Sequence, residues 1–80
     1  MFYVYRANDA ESLMINPRTG DHLFFDMDTL KRAVEEDAKE EMYEDGDSIS
    51  YIIIDLKNKT FKTLRVYYVI TYTTEIEIEN

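Results

Sequence analysis

From Lys62 to Ile78 the chain alternates between two residue classes without a turn signal. Leu64, Val66, Tyr68, Ile70, Tyr72, Ile76 and Ile78 share one parity. Thr63, Arg65, Tyr67, Thr71, Thr73, Glu75, Glu77 and Glu79 share the other, where Val69 is the single apolar aliphatic. A period of two with one apolar face predicts a half-buried antiparallel strand. At ~3.4 Å per residue, residues 62–78 laid out straight would run to roughly 55 Å. A domain of this length has a radius of gyration near ~12 Å and is only about 30 Å across. The segment must therefore bend, reverse or leave the domain. Reversal through a two-residue turn would exchange the parity that faces inward. No exchange occurs around Thr71–Thr74, and no Gly or Pro lies there. The expectation is a bent strand, or a tail that pairs with another chain and makes a homodimer. In the second case Ile76 and Ile78 form the exposed edge that invites pairing.

The rest of the chain divides into short elements. Phe2 to Arg6 is dense in aromatic and β-branched residues and reads as a strand. Phe2 and Val4 stand on one side and Tyr3 and Tyr5 on the other, which predicts a central strand. Leu13-Met14-Ile15 and His22-Leu23-Phe24-Phe25 flank Asn16-Pro17-Arg18-Thr19-Gly20-Asp21, the pattern of a hairpin with a longer loop. A helix over 28–44 follows. Asp26 or Asp28 caps its start, and Leu30, Ala33, Val34, Ala38 and Met42 form its apolar face. Gly46 suits its end. Ile49 to Leu56 is another strand, and Lys57-Asn58-Lys59-Thr60 a hairpin turn. The predicted fold is one α+β domain over residues 1–80. It has an antiparallel sheet of four to five strands with one helix packed across it, in the order β-β-β-α-β-β.

Charge is distributed as unevenly as hydrophobicity. Asp26 to Asp47 holds ten acids (Asp26, Asp28, Glu35, Glu36, Asp37, Glu40, Glu41, Glu44, Asp45, Asp47) against Lys31, Arg32 and Lys39. That is −7 of the chain's net −8. Lys31–Glu35, Arg32–Glu36 and Glu35–Lys39 can pair at i,i+4, but Glu36–Glu40, Asp37–Glu41, Glu40–Glu44 and Glu41–Asp45 are like charges at the same spacing. They accumulate at the C-terminal end, where the helix macrodipole also disfavours anions. Helix stability alone would not select this. Glu75, Glu77 and Glu79 make a second acidic row, ~6.8 Å apart along one side of a strand. Lys57, Lys59, Lys62 and Arg65 cluster without an acid from Leu56 to Thr74.

Composition excludes several classes. A chain of 80 residues without cysteine has no disulfide or thiolate site to staple it. Such a length buries only ~60% of its unfolded surface. The N-terminus lacks the features of a signal peptide, and no apolar run nears the ~20 residues of a membrane helix. A cytoplasmic protein is expected, with no membrane partner. The net charge argues against direct binding of nucleic acid.

Motifs for catalysis are incomplete. Leu23-Phe24-Phe25-Asp26-Met27-Asp28-Thr29-Leu30 resembles motif I of the haloacid dehalogenase phosphatases, an apolar strand followed by Asp-x-Asp-Gly-Thr. That likeness implies Asp26 as nucleophile and Asp28 as acid/base. The Gly between Asp28 and Thr29 is absent, and the chain has no room for the large α/β sheet and the downstream motifs. The same residues serve as a strand leading into a helix cap. Glu44-Asp45-Gly46-Asp47-Ser48 lacks the alternating twelve-residue ligand pattern of a calcium loop. His22 is the only histidine, and its spacing from Ser12, Ser48 and Ser50 suggests no nucleophile–base pair. No catalytic residue, metal or cofactor is assigned.

These features lead to a non-enzymatic inhibitor that presents carboxylates to the basic groove of a nuclease or another nucleic-acid-binding protein. In character it is similar to phage anti-restriction and anti-CRISPR proteins, which are short and acidic. The expected partner-binding residues are Glu36, Asp37, Glu40, Glu41, Glu44, Asp45, Asp47, Glu75, Glu77 and Glu79, with Tyr43 and Tyr67 as amphipathic anchors. The alternatives are an acidic interaction module or oligomeric subunit with an unrelated basic partner, and a small enzyme.

Overall fold

The apolar spacing of residues 30–38 produces the one helix among the described residues. The structure is a computed structural model that describes residues 1–41, 47–68 and 74–79, with the backbone alone for 68 and 74–79. Its elements, in chain order, are β1 (Phe2–Arg6), α1 (Met27–Glu41), β2 (Ser48–Asp55), β3 (Thr60–Tyr68) and β4 (Thr74–Glu79). Asp26 caps α1 by accepting from the Thr29 backbone N–H at 2.9 Å and from its hydroxyl. One turn apart, Leu30, Val34 and Ala38 are fully buried. Residues 42–44 of the expected helix, Met42 among them, lie outside the described residues.

β1, β2 and β3 form an antiparallel sheet, and β4 continues the ladder in the order β1-β2-β3-β4. Side chains from alternate positions meet the helix. Val4, Tyr51, Ile53, Leu64 and Val66 join Leu30, Val34, Ala38 and Phe24 in one core, with Phe2, Met14, Met27, Ala33 and Ile49 packed around it. The predicted α+β class, one helix against an antiparallel sheet, is the architecture observed.

The β2–β3 connection is the expected hairpin. Asp55 ties its start by accepting from the backbone N–H groups of Lys57 and Asn58 at 3.0 and 3.1 Å and from the Asn58 amide. These donors hold the Asp55 carboxyl below the usual carboxylate range. Lys59 closes the turn with φ 54°, a conformation that is uncommon for a residue with a side chain.

Three expectations are corrected. The segment 13–25 is not a β-hairpin, so the element order is β-α-β-β-β. Polar side chains there hold a loop instead. Buried Asn16 donates to the Leu23 carbonyl at 3.1 Å and accepts from the Arg18 N–H at 3.0 Å, while its own N–H donates to Asp21 at 2.6 Å. An asparagine bonding its own neighbourhood competes with strand pairing. Gly20, with φ 79°, completes the turn.

The second correction concerns β1, which ends the ladder rather than running through its centre. The loop covers its free edge. Phe2 and Phe24 exchange two backbone hydrogen bonds at 2.8 Å, and the Met14 N–H donates to Val4 at 2.9 Å.

The third correction concerns the long alternating segment. It neither runs on as a bent strand nor leaves the domain, because β4 folds back on β3. Leu64 lies opposite Ile78 and Val66 opposite Ile76, so Ile76 and Ile78 take register positions on the helix-facing side. Five residues separate Tyr68 from Thr74. A connection of odd length pairs even positions with even positions and conserves parity, which a two-residue turn cannot do. The fold is 36 Å in its longest dimension, with a radius of gyration of 12.2 Å, far too short for the straight strand. The connection itself lies outside the described residues.

Candidate functional site

The acidic helix meets the sheet through one polar cluster that the sequence did not reveal. Arg6, the last residue of β1, reaches Asp37 with two hydrogen bonds, from Nε at 2.9 Å and Nη2 at 2.8 Å. The same Nη2 reaches Glu41 Oε1 at 3.2 Å. Tyr51, on β2, donates its hydroxyl to Asp37 Oδ2 at 2.6 Å. Asp37 and Arg6 are about three-quarters shielded, at 23% and 26% side-chain exposure, whereas Glu41 stands 51% exposed. Planar two-point contact between guanidinium and carboxylate is the strong form of this bond.

Titration follows geometry. Burial disfavours the charged Asp37 carboxylate, but the Arg6 guanidinium and the Tyr51 hydroxyl outweigh it and hold the group below its ordinary range. Burial, with the hydrogen bond to Asp37, pushes the Tyr51 hydroxyl well above a free phenol. Bonding to Asp37 raises the Arg6 guanidinium further still.

The cluster sorts the expected partner-binding residues. Asp37 is committed to the fold, and Glu41 shares Arg6 with it. β1 ends with its arginine directly beneath both, so Asp37 is turned inward, whereas Glu41 keeps half of its side chain exposed. Glu36 and Glu40 are exposed on the outer side of α1, with Asp28, Arg32 and Lys39. Asp47 is half-buried beside Ser48 at the mouth of a groove of about 310 Å³, which Arg6, Asn8, Glu41 and Ile49 also line. Tyr43, Glu44 and Asp45 lie outside the described residues.

Glu75, Glu77 and Glu79 are placed by register, opposite Tyr67, Arg65 and Thr63. Those positions alternate with buried Leu64 and Val66 and so belong to the face of the sheet that α1 does not cover. The two acidic rows are therefore divided between opposite faces and do not form one surface. Tyr67 is on the open face as well. Its hydroxyl accepts from Arg65 Nη1 at 3.2 Å, and Arg65 Nε donates to the Ser50 hydroxyl at 3.2 Å.

Residues that drew attention as catalytic groups have structural partners. Asp26 caps the helix, and the Thr29 backbone N–H, followed by its hydroxyl, lowers its pKa. His22 is exposed, with Nδ1 3.2 Å from the Met14 carbonyl. The Ser12 hydroxyl donates to the Asp9 carbonyl at 2.6 Å. Among the described residues no three His, Asp or Glu side chains converge as metal ligands, and no helix is long and apolar enough to cross a membrane.

One cue to Arg6 was present in the sequence, as the only charge in an aromatic strand. Its partner was not readable, because 31 residues separate Arg6 from Asp37. Comparison with family models, with curated proteins and with solved structures found no match for this chain.

Proposed function

We propose that this is a non-enzymatic acidic binding protein that docks the outer and C-terminal part of α1 onto a basic protein surface. The partner we favour is the groove of a nuclease or other nucleic-acid-binding protein, which this surface occludes as an inhibitor. One observation carries the reading. α1 buries a single line of three residues, Leu30, Val34 and Ala38, and leaves Glu36 and Glu40 exposed in a segment that holds −7 of the chain's −8. Asp37 is withdrawn into the Arg6 cluster, so the proposed contact residues narrow to Glu36, Glu40, Glu41 and Asp47, with Tyr43, Glu44 and Asp45 continuing the acidic run. A concentrated field of one sign accelerates encounter with its opposite.

Capture from bacterial lysate identifies the partner, and kinetics then test the surface. The double variant Glu36→Lys, Glu40→Lys reverses two exposed charges. It is expected to slow association about tenfold at low salt, with most of that difference lost near physiological ionic strength, where the Debye length is ~8 Å. Duplex DNA should compete with the protein for the partner. Unchanged association in a folded double variant removes α1 from the interface. Binding that DNA does not displace favours the second reading, an interaction module for a different basic protein.

The protein alone is expected to leave DNA and RNA unshifted in a low-salt gel assay, since its net charge is −8. Micromolar binding to a duplex would contradict this and direct attention to Lys57, Lys59 and Lys62.

A further inference from the structure

The sheet face turned away from α1 is apolar at one end and polar over the rest. Tyr3, Ile54 and Phe61 form one cross-strand row, and Tyr5 and Ile52 begin the next. That second row continues into Thr63, and the third holds Ser50 and Arg65, with the Glu77 and Glu79 positions beside them on β4. Where the apolar rows meet the β2–β3 turn, the surface is hollowed into an open trough of about 480 Å³. Ile52 and Ile54 on β2 make its floor, Tyr5 on β1 and Phe61 on β3 its two sides, and Leu56, Lys59 and Thr60 its turn end. Tyr5 and the two isoleucines are half-buried, while Leu56 is 40% and Phe61 71% exposed.

We propose that this trough binds a small hydrophobic carboxylate, with its apolar body on Ile52 and Ile54 between Tyr5 and Phe61 and its anionic head at Lys59. Size selects a small molecule. From Ile52 to Leu56 the trough runs about 14 Å, and three strands span about 14 Å, so the apolar area is roughly 200 Å². A specific protein interface takes about 800 Å² from each partner, and this face turns polar before it supplies that much. The volume, in contrast, lies within the ~300–1,000 Å³ of small-molecule sites, which are likewise walled by apolar and aromatic side chains with a small number of polar groups.

Charge selects the head group. Lys59 is the cation that lines the trough, Lys57 stands exposed beside it in the turn, and no acid occurs from Leu56 to Thr74. Asp55 also lines the trough, but it is only 6% exposed, and its carboxylate already accepts from the Lys57 and Asn58 backbone N–H groups and from the Asn58 amide. An anion at the turn end therefore meets an ammonium, and a cation there would meet a like charge. The trough is on the face opposite α1, so its test is independent of the α1 docking surface.

Titration of the isotope-labelled protein with octanoate, octanol and octylammonium, followed by amide chemical shifts, tests the proposal. Octanoate is expected to give saturable shifts confined to Tyr5, Ile52, Ile54, Leu56, Lys59 and Phe61, with a dissociation constant of about a millimolar or tighter. Octanol should bind about threefold more weakly, and octylammonium more weakly still. Lys59→Gly keeps the turn, because glycine accepts φ 54° without strain, and should abolish the preference for octanoate over octanol. Phe61→Ala changes an exposed residue, so the fold should be retained while octanoate and octanol both weaken about fivefold. Shifts that do not saturate, or that spread over the whole surface, overturn the proposal. So do equal affinities for octanoate and octylammonium, a preference that survives Lys59→Gly, and unchanged binding by folded Phe61→Ala. Shifts of the same amides on raising the protein concentration alone would assign the trough to a second copy and overturn it as well.

Discussion

Phe24→Ala is expected to destabilise the fold by about 3–5 kcal/mol, while Phe25→Ala shifts it by no more than about 0.5 kcal/mol. The two phenylalanines are adjacent, yet Phe24 is fully buried and Phe25 is 59% exposed. Phe24 lies in a loop but packs with Val4, Leu30 and Ile53 in the core, and its backbone closes the edge of β1. Truncation leaves a cavity under that loop and weakens the cover on the strand. A domain of this size has about 4–12 kcal/mol of total stability. The Phe24 variant should thus lose a large share of its stability, seen as an early midpoint in a urea titration followed by far-ultraviolet circular dichroism. Equal effects at the two positions would mean that the loop does not dock as described.

The second large effect is at Asp37. Its replacement by alanine leaves Arg6 without its two-point partner and the Tyr51 hydroxyl without an acceptor. Hydrogen bonds to charged groups contribute about 1.5–3 kcal/mol, and breaking a fully buried pair costs about 3–5. This pair is partly solvated, so about 2–3 kcal/mol is expected, or roughly 10–20 °C in thermal midpoint. Tyr51→Phe should cost about 1 kcal/mol, since Arg6 still satisfies the carboxylate.

The same contacts set the dependence on pH. The folded Asp37 carboxyl titrates below its unfolded value, near 3.9, so its contribution is complete above that value and is lost as pH falls through the folded one. Tyr51 works in the opposite direction. Its folded pKa lies above the unfolded value near 10, so its contribution is present below that and is lost as alkali deprotonates it. Asp37→Asn should flatten the acid limb of the stability profile, and Tyr51→Phe the alkaline limb. Acid limbs that coincide in wild type and Asp37→Asn would assign acid sensitivity to other carboxylates.

What the residue pattern determined by itself was local and periodic. The α1 stripe Leu30, Val34, Ala38, the Asp26 cap, the Lys57–Lys59 turn and the inward parity of Leu64 and Val66 all depend on neighbours within a few positions. Spacing and propensity act over that range, so these features were legible. The uneven charge was legible for the same reason.

Tertiary structure decided everything that depended on which distant segments meet. Arg6 selected Asp37 and Glu41 from ten acids because β1 ends beneath that turn of the helix. The 13–25 segment lost its strands because Asn16 satisfied its backbone locally while Phe24 was drawn into the core. Residues 62–78 reversed because an odd connection keeps the apolar parity inward, a solution that alternation permits but does not specify. That reversal also sent Glu75, Glu77 and Glu79 to the face opposite the acidic helix. Side-chain alternation determines which residues share a face; only the packed sheet determines what each face meets.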